Sequence, residues 1–455
     1  MRISFVTLGC KVNQYETQAM EKLLHTRGHQ TTEPGQIADA VVINTCAVTG
    51  ESARKSRQAI RRAKRVNPGA LIVVSGCFSQ ADASTVKELG ADFVGGAGER
   101  QQVVEFIDAI AQNRESSELH QVEPEVSEAD NSPLLDPVLL VPEAARRREF
   151  EVLPAGEIDG HVRALLKVQD GCINFCSYCI IPYLRGPSRS LPVEEAVGSV
   201  EDLASQGFKE IVITGIEISS YGLDIGSGLG ELIERLCNAA PDVRFRLGSL
   251  EPTLIDEEFV RRLRPLKNLC PHFHLSLQSG SASVLRRMRR KYTPVDYAKS
   301  VALLRSAFKD PAITTDLIVG FPGETDAEFE ETVSFIKSIG FAAIHVFPYS
   351  KREGTRAATM EGHLPKKIKD ERAAAIKELA DDMRQVYFDL QVGGVRRVLF
   401  ETESDGISEG HTENYLPVMV KASGLRDNLI EVEITGHCNG RLIGRIVAQK
   451  DTHAD

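Results

Sequence analysis

Six of the nine cysteines stand where chemistry can use them. Three share one short run, Cys172-Ile-Asn-Phe-Cys176-Ser-Tyr-Cys179. A loop of this spacing wraps a cubane iron–sulfur cluster and ligates three of its four irons, leaving the fourth open to a substrate. Structural zinc sites want four ligands, usually as two CxxC-like pairs, and this run offers a triplet with no fourth cysteine beside it. Cys10, Cys46 and Cys77 are dispersed, yet each directly follows a strand-like run: Phe5-Val-Thr-Leu-Gly-Cys10, Val42-Ile-Asn-Thr-Cys46 and Val73-Val-Ser-Gly-Cys77. In a parallel sheet all carboxyl ends lie on one edge, where ligands bind, so topology would gather these three thiols into a second cluster site. The bland alternative is three inert thiols in a core. Cys237, Cys270 and Cys438 show no such placement and read as packing residues.

The elements that must position these thiols follow from the pattern around them. Strand-like Ile3–Thr7, Ala40–Asn44, Leu71–Ser75 and Asp92–Val94 alternate with helical Gln14–Arg27, Glu51–Val66 and a helix ending near Leu89. Continuous apolar strands alternating with helices imply a parallel sheet covered on both faces. From Val162 the alternation resumes, with strands expected at Val162–Val168, Glu210–Thr214, Val243–Leu247, Phe273–Leu277, Ile313–Val319 and Ala343–Phe347. Six such units imply a partial (β/α)6 barrel of the TIM type, whose catalytic face is built from the loops after the strands. Cys172 stands in the first of those loops. A charged helix, Pro365–Leu390, leads to short strands at Arg396–Glu401, Leu416–Lys421, Asn428–Ile434 and Leu442–Ala448, a small β-barrel pattern. The fold class is thus α/β, with expected boundaries at 1–112 for the N-terminal α/β domain, 113–160 for a Glu/Pro/Ser-rich, partly disordered linker, 161–384 for the partial barrel and 385–455 for the small β-barrel.

Apolar residues make up 42% and charged residues 26%, a soluble globular balance. No apolar run approaches the ~20 residues of a membrane helix, and no signal-peptide pattern follows Met1. The expectation is a cytoplasmic protein with no membrane partner, where reducing thiol pools favour metal ligation over disulfides. A net charge of −10 argues against indiscriminate nucleic-acid binding, and no DNA partner is expected.

With these features in view, the sequence resembles the methylthiotransferases of the radical S-adenosylmethionine superfamily over nearly its whole length. Beyond the two cysteine sets, the resemblance rests on Leu8-Gly-Cys10-Lys-Val-Asn13, Asn44-Thr-Cys46-Ala-Val-Thr49, Leu275-Ser-Leu-Gln-Ser-Gly-Ser281, Asp316-Leu-Ile-Val-Gly-Phe-Pro-Gly-Glu-Thr325 and Phe347-Pro-Tyr-Ser-Lys-Arg-Glu-Gly-Thr355. The C-terminal segment is similar to a TRAM domain. The run Thr7-Leu-Gly-Cys10-Lys-Val-Asn-Gln-Tyr-Glu-Thr17 is most similar to the branch acting on N6-threonylcarbamoyladenosine beside the tRNA anticodon; the isopentenyladenosine branch usually has Gln-Met-Asn after Gly-Cys. The resemblance implies two 4Fe–4S clusters and S-adenosyl-L-methionine. Cys172, Cys176 and Cys179 would serve cofactor cleavage to a 5′-deoxyadenosyl radical, which abstracts hydrogen from adenine C2. Cys10, Cys46 and Cys77 would hold the sulfur that is methylated and delivered. It also implies a tRNA substrate and an electron donor such as flavodoxin or ferredoxin. The same chemistry on isopentenyladenosine or on a ribosomal-protein aspartate stays open, as does a non-catalytic iron–sulfur protein. A cobalamin-binding Asp-x-His-x-x-Gly loop is absent.

Other expected site residues surround the barrel face. By resemblance, Tyr178 lies near the cofactor adenine, its alternative being a plug under the loop. Gly215 and Glu217, after the second barrel strand, contact the methionine amino group by resemblance; a carboxylate accepts such charge-assisted bonds. Ser249, Glu251 and Gln278 are polar groups at the rim, the alternative being loop solvation. The turn at Gly320 would let backbone approach adenine closely. Arg54, Lys55, Arg57, Arg61 and Arg65, on the helix after Cys46, would meet RNA phosphates. A second basic run, Arg286-Arg287-Met-Arg289-Arg290-Lys291, is read the same way, against a merely solvated face in both cases.

Overall fold

The computed structural model describes residues 1–33, 35–118, 137–155 and 162–447. The first unit is a six-stranded parallel sheet of β1 (Arg2–Thr7), β2 (Gln30–Thr32), β3 (Ala40–Thr45), β4 (Leu71–Gly76), β5 (Phe93–Gly95) and β6 (Val138–Leu140), in the order β2-β1-β3-β4-β5-β6. Both faces are covered. Ile3, Met20, Val42, Val73 and Val104 build one core, and Val41, Ile43, Ile60, Val74 and Phe78 the other. Helix α1 (Lys11–Thr26) follows β1, α2 (Gly50–Val66) follows β3, and α3 (Cys77–Ala81) starts where β4 stops. A capping box between Thr49 and Ser52 fixes the start of α2.

The connector read as 113–160 is more structured than its composition implies. A helix runs on to Glu118, and Val138–Leu140 pairs with β5 as the sheet's last strand. Residues 119–136 and 156–160 of that connector, and residue 161 after it, lie outside the described residues.

The second unit contains β7 (Arg163–Asp170), β8 (Arg189–Ser190), β9 (Glu210–Gly215), β10 (Arg244–Leu247), β11 (Ser249–Leu250), β12 (His272–Leu275), β13 (Ala312–Val319) and β14 (Ala343–Pro348). β7, β9 and β10 pair in parallel, as do β12, β13 and β14, and a parallel bridge between Phe245 and Leu269 joins the two halves. The result is the expected partial barrel around one large core that includes Leu166, Ile213, Phe245, Phe273 and Leu317.

The last unit is a closed barrel of β15 (Val395–Ser404), β16 (Ile407–Thr412), β17 (Pro417–Val420), β18 (Leu429–Cys438) and β19 (Arg441–Ile446). β16 was not expected from the sequence. The helix Lys366–Asp389 runs through the expected 384/385 boundary and buries Phe388 in the small barrel's core. The barrel docks on the starts of the large-barrel strands: Arg244 and Arg246 donate to the carbonyls of Arg397, His411 and Glu413 at 2.9, 3.0 and 2.9 Å. No described helix is long and apolar enough to cross a membrane.

Candidate iron–sulfur and cofactor site

β7 delivers the chain to the loop of Cys172, Cys176 and Cys179 through Gly171, whose φ is +75°. A Cβ at Gly171 would fall 1.9 Å from the Pro187 carbonyl oxygen, so only glycine fits this turn. The Cys172 N–H donates to the Gly186 carbonyl at 3.0 Å, closing the loop at its base. Cys176 Sγ accepts from the Arg290 guanidinium at 3.3 Å, and Cys172 Sγ from the Asn174 N–H at 3.4 Å. Burial pushes the Cys172 and Cys179 thiols up to about 12, and the neighbouring cysteines add to the shift. Such thiols hold their protons unless a metal replaces them. The donor set therefore suits a metal cluster and not a free nucleophile.

Cys10, Cys46 and Cys77 stand together at the carboxyl ends of β1, β3 and β4, as N-cap of α1, next residue after β3 and first residue of α3. Gly76, at φ +109°, lets Cys77 approach: a Cβ there would lie 2.5 Å from the Thr45 carbonyl oxygen. Cys46 and Cys77 are buried and Cys10 opens to solvent, yet the protein packed around all three raises their thiols, and each lies within electrostatic reach of another of the set. Asn13 ties them down by donating to the carbonyls of Leu8 and Thr45 at 2.7 and 3.0 Å.

The two cysteine sets are joined by a buried ionic core that no sequence pattern signalled. The short helix Ile181–Arg185, just beyond Cys179, buries Leu184 in the N-terminal core and sends Arg185 toward α1. Arg185 meets Glu16 at 2.7 Å, Asp170 at 3.1 Å and the Asn13 side-chain oxygen at 2.9 Å. Arg100 and Lys167 also hold Glu16, at 2.7 and 3.0 Å. Burial alone would raise the Glu16 carboxyl, but Arg100, Arg185 and Lys167 together hold it well below the usual range. Direct ion pairs bring four cations (Arg100, Lys167, Arg185, Arg189) to two carboxylates, Glu16 and Asp170, and Glu151 lies within electrostatic reach of Arg100 and Lys167, so cations still outnumber carboxylates by one. Arg185 Nε is buried without a hydrogen-bond partner among the described residues, and its guanidinium lowers the pKa of Cys77. Cationic surplus and an orphaned donor beside Cys77 fit an anionic sulfur-ligated group there.

Around the barrel triplet, the Glu217 N–H donates to the Gln169 side chain at 2.7 Å, and the Glu217 carboxylate lies 3.5 Å from the Asn174 amide. Burial, then the Glu251 carboxylate, pushes Glu217 up to about 7. Glu251 is paired with Arg290 at 2.5 Å. Tyr178 packs beside Val284, Met288, Phe321 and Tyr349. At Gly215 a Cβ would meet the Ile218 side chain at 2.8 Å. Ser249 is exposed and lines a cavity inside the barrel. Gln278, at φ +67°, is a backbone link to β13: its N–H donates to the Asp316 carbonyl, and its carbonyl accepts from Ile318. At Gly320 the space of a side chain is taken by Lys369, with Cγ 2.2 Å from a built Cβ, which gives that glycine a packing reason.

The basic runs separate. On α2, Lys55, Arg61 and Arg65 are exposed, Arg54 is paired with Glu51 at 2.5 Å, and Arg57 leans over the Phe78 ring. In the second run two members turn inward, Arg287 pairing with Glu328 at 2.8 Å and Arg290 packing against Cys176 and Glu251, while Arg286, Arg289 and Lys291 are exposed. Sequence reasoning missed Arg185, and it read Arg290 as a phosphate contact where the structure turns it inward to Cys176 and Glu251. Cys237 and Cys270 are buried as expected. Cys438 is exposed, because β18 ends there at the turn through Asn439 and Gly440.

A partial β/α barrel whose first loop carries CxxxCxxC defines a radical S-adenosylmethionine protein, and the comparisons agree. Residues 166–336 match the Radical SAM superfamily model and residues 2–96 the model described as uncharacterized protein family UPF0004. The fold is similar to a radical S-adenosylmethionine methyltransferase, TsrM, from Kitasatospora setae, with a TM-score of 0.54 over 78% of this chain and 77% of that one at 17% identity. In sequence the chain is 38% identical to the threonylcarbamoyladenosine tRNA methylthiotransferase MtaB of Bacillus subtilis, over 92% of this chain and 90% of that protein. It is 32% identical to the tRNA-2-methylthio-N(6)-dimethylallyladenosine synthase of Geobacillus kaustophilus, over 97% and 81%. The chain belongs to the radical S-adenosylmethionine methylthiotransferase family. Membership implies a 4Fe–4S cluster and S-adenosylmethionine.

Proposed function

We propose that this chain is a tRNA methylthiotransferase that modifies C2 of N6-threonylcarbamoyladenosine beside the anticodon. Relatives named for that activity support the reading, as does Lys11-Val12-Asn13 after Cys10. The observation that carries the chemistry is the meeting of Cys10, Cys46 and Cys77 on one sheet edge, bound through Arg185 to the loop of Cys172, Cys176 and Cys179. Each triplet holds a cluster, and together with S-adenosylmethionine the clusters supply a carbon radical and a transferable sulfur, which an inert C–H bond requires.

The chain's own residues bind and orient. Glu217 and Gly215 receive the methionine ammonium end, and Tyr178 stands beside the cofactor. Arg290 neutralises sulfur at Cys176. Gln278 and Gly320 shape the rim. Lys55, Arg61 and Arg65 on α2, with Arg54 and Arg57, meet RNA phosphates. A flavodoxin or ferredoxin supplies electrons, and the protein works in the cytoplasm. The N-terminal sheet unit, the partial barrel and the small β-barrel divide the labour into sulfur site, radical site and RNA-facing barrel.

Isopentenyladenosine is the second substrate reading, favoured by the Geobacillus relative, which is named as a tRNA-2-methylthio-N(6)-dimethylallyladenosine synthase. Mass spectrometry of tRNA nucleosides from a strain lacking the gene tests both. Loss of the methylthio derivative of threonylcarbamoyladenosine alone is expected; loss of the isopentenyl derivative alone would refute the substrate assignment.

A further inference from the structure

A cavity of about 420 Å³ opens inside the large barrel where all three units meet, lined by Lys11, His274, Asp316, His345, Arg384 and Tyr415 among others. A second cavity, of about 380 Å³, shares Lys11 and Tyr415 with it. Lys11 is the residue after Cys10, so its four-carbon stem leads from the N-terminal cysteine site into this space. It is exposed to the cavity yet surrounded by protein. Arg246, Arg163, Tyr415 and Glu210 all lie within electrostatic reach of it.

The carboxylates near Lys11 are already spent. Glu210 pairs with Arg244 at 2.5 Å and Arg246 at 2.8 Å. Asp316 lies 3.4 Å from His274, whose other ring nitrogen is held by Thr314 at 3.0 Å. No ion pair engages Lys11 among the described residues. Among the described residues Arg384 bonds the Gly440 carbonyl alone, at 2.9 Å, and stacks over Phe388. Among the described residues the lining thus holds two cations without an ion pair, Lys11 and Arg384, against one carboxylate, Asp316, which sits beside His274. A polar, positively biased pocket of this kind is built for an anionic group.

We propose that this cavity is the subsite for the anionic N6 substituent of the substrate adenosine, and that Lys11 meets its carboxylate. The inference rests on the threonylcarbamoyladenosine reading and adds the residue that sets the specificity. A base whose C2 faces the sulfur site at Cys10 has its N6 side within reach of the next residue along the chain. A neutral isopentenyl group would leave the Lys11 ammonium unpaired in the same space, which disfavours it.

The test uses reconstituted full-length enzyme and anticodon stem-loop RNAs that differ only at the target base: threonylcarbamoyladenosine, its methyl ester and isopentenyladenosine. For the wild type, esterification should lower kcat/KM about tenfold or more, the usual worth of a hydrogen bond to a charged group. Lys11→Gln should lower kcat/KM on the free acid by a similar factor and leave the ester nearly unchanged, and Lys11→Arg should recover part of the loss. Iron content reports whether each variant keeps its clusters. If Lys11→Gln loses iron, the wild-type acid-to-ester ratio decides alone. Equal wild-type rates on acid and ester overturn the subsite. So does a Lys11→Gln loss that is equal on both, which marks Lys11 as a contact to RNA phosphate. A wild type that modifies only the isopentenyl RNA refutes the substrate reading itself.

Discussion

Arg290 shows how one side chain can belong to a site without being a ligand. Its guanidinium donates to Cys176 Sγ at 3.3 Å and pairs with Glu251, which in turn raises Glu217. A cation beside cluster sulfur favours the reduced, more negative state. Arg290→Gln should therefore lower the reduction potential of the barrel cluster, on the order of tens of millivolts, with iron content retained, and Arg290→Lys should restore part of the shift. Redox titration followed by EPR reads this, and an unchanged or raised potential would return Arg290 to a packing role. The grouping of the six cysteines into two sets was legible in the sequence because spacing and strand-end position bring them together. Arg290 was not, because charge in a run such as Arg286–Lys291 does not say which members find a buried carboxylate.

Elements were legible where apolar periodicity was strong, as in β3, β4 and β13. β16 was missed for a physical reason. Its inward residues are Ser408, Gly410 and Thr412, and a Cβ at Gly410 would sit 2.1 Å from the Leu399 carbonyl oxygen, so the strand crosses its neighbour too closely for an apolar side chain. The junction of the two barrels was equally hidden. Glu210, at the start of β9, holds Arg244 and Arg246, which reach the carbonyls of the small barrel. Burial opposes ionisation of Glu210, but Arg246 and Arg244 hold its carboxyl far below the usual range. Because the folded pKa is depressed, the stabilisation is full above the ordinary glutamate range and is lost as pH falls below it. Glu210→Gln, which strands two buried guanidiniums, should cost about 3–5 kcal/mol near neutrality. Denaturant unfolding across pH should show the gap to wild type closing in acid; a constant gap would contradict the assignment.

At the scale of the molecule, one ionic core fixes the relation of the two cysteine sets. Glu16, Arg100, Lys167, Asp170 and Arg185 come from segments up to 169 residues apart, so no local pattern foretold them. The three units were visible in composition and periodicity; their docking was not, since it rests on single buried charges rather than on repeats. The central claim is a division of labour, radical at Cys172, Cys176 and Cys179, and sulfur at Cys10, Cys46 and Cys77. The most direct measurement takes Cys10→Ala, Cys46→Ala, Cys77→Ala enzyme, reduced with dithionite and supplied with S-adenosylmethionine and threonylcarbamoyladenosine-containing tRNA, and quantifies both products by mass spectrometry. The account predicts 5′-deoxyadenosine without any methylthiolated nucleoside, whereas the matching variant at Cys172, Cys176 and Cys179 should yield neither. Methylthiolated tRNA from the N-terminal triple variant would contradict it.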